Sequence, residues 1–145
     1  MKQEKYQRAL LIDDDKIVNY VQESIINSFN IANEVITKDS AELALAYLKG
    51  CILSNNALPD IIFLDINMPV IDGFGFLEAF ADLLKEHQYN WHKEKCKIII
   101  LTSSIDEDDF DNTPLLTMRG GTSKARRVFG ELNNLLADLN EAVAT

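Results

Sequence analysis

Three short runs of large apolar residues recur along the chain, and each run ends abruptly in polar residues. The runs are residues 9–12, 61–64 and 98–101. A run of this length between turn-forming residues is typical of a strand that is buried on both faces, as the strands of parallel sheets are. The pattern therefore predicts three buried strands. A weaker β-prone segment, residues 34–37, begins with a polar residue and is predicted to be an edge strand.

The segments between and after these runs have apolar residues at helical spacing. In the first segment, Gln22 is predicted to face solvent and the helix to end near Asn30. The second helix is predicted to begin at Asp39, which has capping-box spacing with Glu42, and to end at Gly50. The apolar positions assigned to the four helices are, in chain order, Val18, Val21, Ile25 and Phe29, then Ala41, Leu45 and Leu48, then Phe76, Leu77, Phe80 and Leu84, and finally Val128, Leu132, Leu135, Leu136, Leu139 and Val143.

The alternation of strands and helices indicates a three-layer α/β domain, in which helices cover both faces of a doubly wound parallel sheet of about five strands. Gly73 and Gly75 are assigned to a loose connection before the third helix. The fifth strand is expected after residue 112, but residues 118–122 contain two adjacent glycines, which weaken a strand. Residues 113–125 are therefore expected to be irregular. Residues 1–145 are interpreted as a single domain.

Composition narrows the possible functions. The chain is 47% hydrophobic and 26% charged, as globular domains are, and its net charge of −9 argues against binding to nucleic-acid phosphates. Because it has no membrane-length apolar stretch and no secretory signal at its start, a cytoplasmic location is expected. Cys51 and Cys96 belong to no metal-binding motif and are interpreted as reduced thiols, and His87 and His92 as surface residues.

Acidic and hydroxyl side chains follow the three predicted buried strands. Asp13 and Asp14 follow the first strand, Asp65 the second and Thr102 the third. Parallel strands bring their carboxyl ends to one edge of the sheet, and crowded carboxylates there favour a bound cation, with oxygen ligands favouring Mg²⁺. Asp65 is predicted to attack a phosphoryl donor and become an aspartyl phosphate. Thr102 would donate a hydrogen bond to the phosphoryl group, and Lys124 would balance its charge.

Four motifs contain these residues: Leu11-Ile12-Asp13-Asp14-Asp15, Leu64-Asp65-Ile66-Asn67-Met68-Pro69 with Asp72-Gly73, Ile100-Leu101-Thr102-Ser103, and Ser123-Lys124. Together they resemble the CheY-like receiver domain of bacterial two-component response regulators, over almost the whole chain. The resemblance implies the flavodoxin-like strand order 2-1-3-4-5. It also implies a signalling phosphoacceptor in a phosphorelay, and not an enzyme.

The resemblance assigns partners and individual roles. The phosphoryl donor would be a sensor histidine kinase or a histidine phosphotransfer protein, and the output would be contact with a downstream protein or a homodimer through helix 4, strand 5 and helix 5. Asp65 would be the phosphoacceptor. The implied Mg²⁺ ligands are Asp14, Asp65 and the backbone carbonyl of Asn67, with Asp13 acting through water. The residues that would engage the phosphoryl group are Thr102, Ser103 and Lys124.

Two positions depart from the family pattern. Receivers usually have a proline after the lysine, joined through a cis peptide bond, whereas this chain has Ala125. Because a non-proline cis bond costs about 2.5–4 kcal/mol, a trans bond and a displaced Lys124 are expected. Gly121 stands in place of an aromatic switch residue, so one alternative is a degenerate receiver that only binds a partner. Another is a haloacid-dehalogenase-type phosphatase with Asp13 as nucleophile, which leaves the motif of residues 65–69 unexplained.

Overall fold

The structure is a computed structural model that describes residues 6–65, 68–87, 96–101 and 116–119, with residues 101 and 116–119 described by their backbone alone. These residues form one parallel sheet, in the order β2-β1-β3-β4-β5, and three helices. The predicted doubly wound α/β fold is confirmed. The elements in chain order are β1 (Tyr6–Ile12), α1 (Lys16–Ser28), β2 (Ala32–Lys38), α2 (Ala41–Leu53), β3 (Ile61–Asp65), α3 (Gly73–Glu86), β4 (Lys97–Leu101) and β5 (Leu116–Arg119).

The strand order creates a crevice between the ends of β1 and β3. From β1 the chain passes through α1 outward to the edge strand β2, and then returns through α2 to β3 on the other side of β1. In open α/β sheets, ligands bind outside the carboxyl ends of strands at such a reversal. Because Ile12 pairs with Leu64, Asp13 and Asp65 are the next residues of their chains at this edge.

Residues of the central strands alternate between two apolar clusters, one on each face of the sheet. Leu10 and Ile62 belong to the cluster that α2 and α3 cover, whereas Leu11 and Phe63 belong to the cluster on the face of α1. All four are at most 1% exposed, so the prediction that these strands are buried on both faces is confirmed. Burial of each such side chain contributes about 1.5–3 kcal/mol to the stability of the fold. The well-packed strands thereby hold the residues at their ends in position.

α1 turns a different face to the sheet from the face that its apolar spacing predicts. The buried residues of α1 are Asn19, Gln22 and Ile26, whereas Val21 and Phe29 are 49% and 70% exposed. The prediction that Gln22 faces solvent is therefore wrong. The reason is that apolar side chains occur on several sides of this helix, so their spacing alone does not select the side that meets the sheet.

The start and end of α2 also differ from the prediction. Ser40, and not Asp39, caps the helix, because the Ser40 hydroxyl accepts a hydrogen bond from the N–H of Leu43 at 3.1 Å. The helix continues through Gly50 for one more turn. An interior glycine costs about 1 kcal/mol, and burial of Cys51 in the core offsets this cost.

α3 carries the apolar face that its spacing predicts. Phe76, Leu77, Phe80 and Leu84 are each at most 1% exposed. The rings of Phe76 and Phe80 stack with their centroids 5.8 Å apart. This face packs against the sheet beside α2 and fixes the helix that follows the acidic end of β3.

β5 pairs with β4 although its sequence predicts a poor strand. The strand ends at Arg119, so the two glycines that weakened the prediction follow the strand instead of interrupting it. The predicted last helix, the polar segment 88–95 and residues 120–125 lie outside the described residues. Among the helices that the structure describes, none is long and apolar enough to cross a membrane.

Candidate functional site

Asp13, Asp14 and Asp65 meet at the carboxyl ends of β1 and β3. One carboxylate oxygen of each residue lies within 4.8 Å of the corresponding oxygens of the other two. The strand register explains this proximity, because the two strands are neighbours and the acids directly follow a paired position. Asp13 and Asp65 are half-buried and Asp14 is exposed, so the cluster is accessible to solvent on the side of Asp14.

The environment of Asp13 disfavours its charged form. The pKa of Asp13 is raised from 3.8 to about 6, and burial is the largest cause. The negative charges of Asp65, Asp14 and Asp15 contribute to the same rise. A hydrogen bond of 2.9 Å from the backbone N–H of Asp15 to Asp13 Oδ1 acts in the opposite direction. The folded protein thus holds a carboxylate that a nearby cation would stabilise.

Asp15 ends the acidic loop and starts α1. Its Oδ1 accepts hydrogen bonds from the backbone N–H groups of Ile17 and Val18, at 2.9 and 3.3 Å. Aspartate is a preferred N-cap because its carboxylate satisfies N–H groups that have no partner within the helix. Sequence analysis assigned no role to Asp15, although an Asp directly before a helical repeat is a known capping signal. Asp13 and Asp14 therefore remain as the acidic pair of this loop.

The loop between β3 and α3 contains a γ-turn. The N–H of Ile71 donates to the carbonyl oxygen of Pro69 at 2.8 Å, and Val70 between them has a φ of 67°. A β-branched residue at positive φ is strained. The loop then enters α3 through Asp72, whose Oδ1 accepts a hydrogen bond from the N–H of Gly75 at 2.8 Å.

Gly73 and Gly75 lie in the first turn of α3, and the prediction of a loose connection there is wrong. A Cβ atom at residue 75 would lie 3.0 Å from Cγ2 of Ile71. Glycine therefore lets the loop fold closely against the start of the helix. The segment that follows the acidic end of β3 is closely packed where it enters α3.

The donor set of the acidic cluster suits a divalent cation with a preference for oxygen. Three carboxylates within 4.8 Å repel one another, and a cation between them removes that repulsion. Mg²⁺ binds proteins through one or two carboxylates, keeps several waters and accepts phosphate oxygens, so it needs a site with one accessible side. The exposed position of Asp14 provides that side.

Of the predicted site residues, the structure describes three. Asp13, Asp14 and Asp65 lie together as their strand positions predict. β4 ends beside them, because Leu101 pairs with Asp65. The predicted residues that lie outside the described part of the chain are Asn67, Thr102, Ser103 and Lys124, together with the two departures from the family pattern, Gly121 and Ala125.

Comparison with known families identifies the domain. Residues 9–124 match the family described as response regulator receiver domain. The chain belongs to this family. Receiver domains are signalling modules of two-component systems and interact with histidine kinases or phosphotransfer proteins. No curated protein sequence gives a match to the chain.

Solved structures of receiver domains share the fold. A two-component response regulator from Cytophaga hutchinsonii is 28% identical, with a TM-score of 0.59, over 90% of this chain and 99% of that chain. The receiver domain of the histidine kinase CKI1 from Arabidopsis thaliana, complexed with Mg²⁺, is 18% identical, with a TM-score of 0.66, over 94% and 91%. The chemotaxis protein CheY4 from Vibrio cholerae is 20% identical, with a TM-score of 0.52, over 89% and 98%.

Membership of the receiver family bears on the alternative functions. The family match includes the motif of residues 65–69, which a phosphatase of the haloacid dehalogenase type leaves unexplained. The phosphatase alternative, with Asp13 as nucleophile, is therefore not favoured.

Proposed function

We propose that this receiver domain accepts a phosphoryl group on Asp65 in a Mg²⁺-dependent reaction and thereby changes its contacts with other proteins. The observation that supports the proposal is the convergence of Asp13, Asp14 and Asp65 within 4.8 Å at the carboxyl edge of the sheet. The proposed donor is a sensor histidine kinase or a histidine phosphotransfer protein. The reaction would take place in the cytoplasm, where ATP-dependent kinases act. The formation of a homodimer through helix 4, strand 5 and helix 5 remains a prediction.

Asp65 is the best placed of the three carboxylates to act as nucleophile. Asp13 and Asp14 lie in the loop that follows β1, and Asp14 is exposed. Asp65 is the last residue of β3 and pairs with Leu101 of β4, so its backbone is held by the sheet. In-line attack on phosphorus requires a nucleophile that is held in position, which favours a strand residue over a loop residue.

In the proposed transfer, a carboxylate oxygen of Asp65 attacks the phosphorus of a phosphohistidine. An O–P bond forms while the N–P bond breaks, and the imidazole nitrogen of the donor takes up a proton as it leaves. When bound, Mg²⁺ supplies positive charge that offsets the repulsion among the carboxylates and the phosphoryl oxygens. Its proposed ligands are Asp14, Asp65 and the backbone carbonyl of Asn67, with Asp13 acting through water. The proposed partners of the phosphoryl oxygens are Thr102, Ser103 and Lys124.

Intact-mass spectrometry after incubation with acetyl phosphate and Mg²⁺ tests the proposal. The wild-type chain should gain the mass of one phosphoryl group, and the adduct should disappear when EDTA replaces Mg²⁺. Asp65→Asn should remove the adduct, because the amide cannot act as the nucleophile. The matched control is Asp82→Asn, which changes an exposed acid on α3 and should retain the adduct.

The other outcomes separate the alternatives. Absence of an adduct on the wild-type chain would contradict the proposal and favour a degenerate receiver that only binds a partner. An adduct that survives Asp65→Asn but is lost in Asp13→Asn would place the nucleophile on Asp13, as in the phosphatase alternative. An adduct that forms equally well in EDTA would contradict the role of Mg²⁺.

A further inference from the structure

α1 contains a buried amide that contacts the acidic loop. Asn19 is 4% exposed, and it is one of two polar side chains that are buried among the described residues. The other is Gln22, 5% exposed, which lies one turn further along the same helix. Buried polar side chains weaken a fold unless they make hydrogen bonds, so the bonds of Asn19 indicate what it does.

The Asn19 side chain donates to two backbone carbonyls from different parts of the fold. Its Nδ2 lies 2.9 Å from the carbonyl oxygen of Asp13 and 3.5 Å from that of Lys38, at the end of β2. The Lys38 carbonyl also accepts the N–H of Asp13, at 3.2 Å. Both backbone hydrogen-bonding groups of Asp13 are therefore held, the N–H by β2 and the carbonyl by α1.

The backbone of α1 strengthens the same connection. The N–H of Asn19 donates to the carbonyl oxygen of Asp15 at 3.1 Å, and Asp15 also caps the helix. Only one residue, Asp14, lies between Asp13 and Asp15. The main chain that carries both acids of the cluster is thus held at each end by contacts that include Asn19.

These contacts are not explained by stability alone. Asn19 Oδ1 is buried and has no hydrogen-bond partner in the described structure, which disfavours folding. An apolar side chain of similar size would avoid this unsatisfied oxygen, but it could not donate to the Asp13 carbonyl. What the amide provides is a defined position for the acidic loop.

We propose that Asn19 is a positioning residue, which holds the main chain of Asp13 and Asp14 so that their carboxylates stand at the right distance from Asp65 to share a divalent ion. This inference rests on the proposed function, because it concerns the same ion site. Replacement of a residue that orients a metal ligand without touching the metal typically weakens metal binding by about 10- to 100-fold.

The test compares Asn19→Leu with Gln22→Leu, which changes the other buried polar residue of α1. Two quantities are measured for each: the Mn²⁺ dissociation constant, by electron paramagnetic resonance of free Mn²⁺, and the exchange rates of the Asp13 and Asp15 amides, by NMR. Asn19→Leu should weaken Mn²⁺ binding by about tenfold and accelerate hydrogen exchange at both amides. Its urea midpoint should change little, because removal of the unsatisfied oxygen and loss of the bond to the Asp13 carbonyl have opposite effects on stability. Gln22→Leu should change neither quantity.

A second variant controls for the possibility that Asn19→Leu misfolds. Asn19→Ala removes the same donor without adding bulk, and should show the same loss of Mn²⁺ affinity and of amide protection. The inference is overturned if either Asn19 variant keeps wild-type Mn²⁺ affinity or wild-type exchange at Asp13 and Asp15. It is equally overturned if Gln22→Leu shows losses as large as those of Asn19→Leu, because the effect would then reflect the helix as a whole.

Failure of the proposed function gives a different result. If the wild-type chain binds no Mn²⁺, the ion-dependent function is wrong, and the exchange rates alone decide whether Asn19 positions the loop. Amides that are protected in the wild type and exposed in the Asn19 variants would support the positioning role. Equal exchange in all variants would exclude it.

Discussion

Replacement of Asp13 by asparagine should stabilise the protein at neutral pH when no divalent cation is present. The substitution removes the negative charge and keeps the shape of the side chain. It also keeps an oxygen that can accept the hydrogen bond from the N–H of Asp15. The charge matters because burial, first, and then the charges of Asp65 and Asp14 raise the pKa of Asp13 from 3.8 to about 6.

The raised pKa fixes the sign of the effect. Between pH 3.8 and about 6 the folded protein binds more protons at Asp13 than the unfolded chain does, so its stability falls as pH rises through this window. Without solvent screening, the shift would correspond to about 3 kcal/mol at neutral pH. Because Asp13 is only half-buried, we expect Asp13→Asn to raise the free energy of unfolding by about 1–2 kcal/mol at neutral pH. The gain should shrink toward pH 4.

Urea unfolding followed by circular dichroism, in EDTA and across this pH range, measures the difference. Asp82→Asn is the matched control, since it removes one exposed acid of the same type from α3. The reasoning is refuted if Asp13→Asn is no more stable than the wild type at neutral pH. It is also refuted if the gain does not depend on pH, or if Asp82→Asn gives an equal gain.

Three further substitutions test the elements that frame the site, each by urea unfolding at neutral pH. Ser40→Ala should lower the free energy of unfolding by about 1 kcal/mol, because it removes the cap of α2; an unchanged value would contradict the cap. Val70→Asn should raise it by about 1 kcal/mol, because Asn tolerates positive φ and Val70 is 94% exposed; a loss would contradict the strained turn. Phe80→Ala should lower it by about 3–5 kcal/mol, since the ring is fully buried; a cost below that of Ser40→Ala would contradict the assigned core.

The convergence of the three acids could be predicted from sequence because a parallel sheet imposes it. Apolar runs identify β1 and β3 as buried strands, and the residue after each run is an acid. Parallel neighbours end at the same edge, so Asp13 and Asp65 come together once β1 and β3 are adjacent. That adjacency followed from the family resemblance and not from the periodicity, which does not specify strand order.

The orientation of α1 could not be predicted in the same way. Its apolar residues surround much of the helix, and two of them, Ile17 and Tyr20, are 74% and 72% exposed. The face that meets the sheet carries Asn19, whose bonds to the Asp13 and Lys38 carbonyls involve parts of the chain that are distant in sequence. A pattern of hydrophobicity contains no signal for such contacts. The caps of α1 and α2, by contrast, have sequence signals. The cap at Asp15 was not predicted, and the cap of α2 was predicted at Asp39, one residue before Ser40.

Three unfavourable features adjoin the candidate site. Asp13 has a raised pKa, the buried oxygen of Asn19 has no partner in the described structure, and Val70 has a positive φ. Asp13 follows β1, Asn19 lies in α1 and donates to the Asp13 carbonyl, and Val70 lies in the loop after β3. Proteins keep such features where binding or chemistry requires them. A bound cation would offset the first, so Mg²⁺ should raise the free energy of unfolding of the wild type more than that of Asp13→Asn. An equal effect of Mg²⁺ on both proteins would mean that the unfavourable features at this edge of the sheet are not related to ion binding.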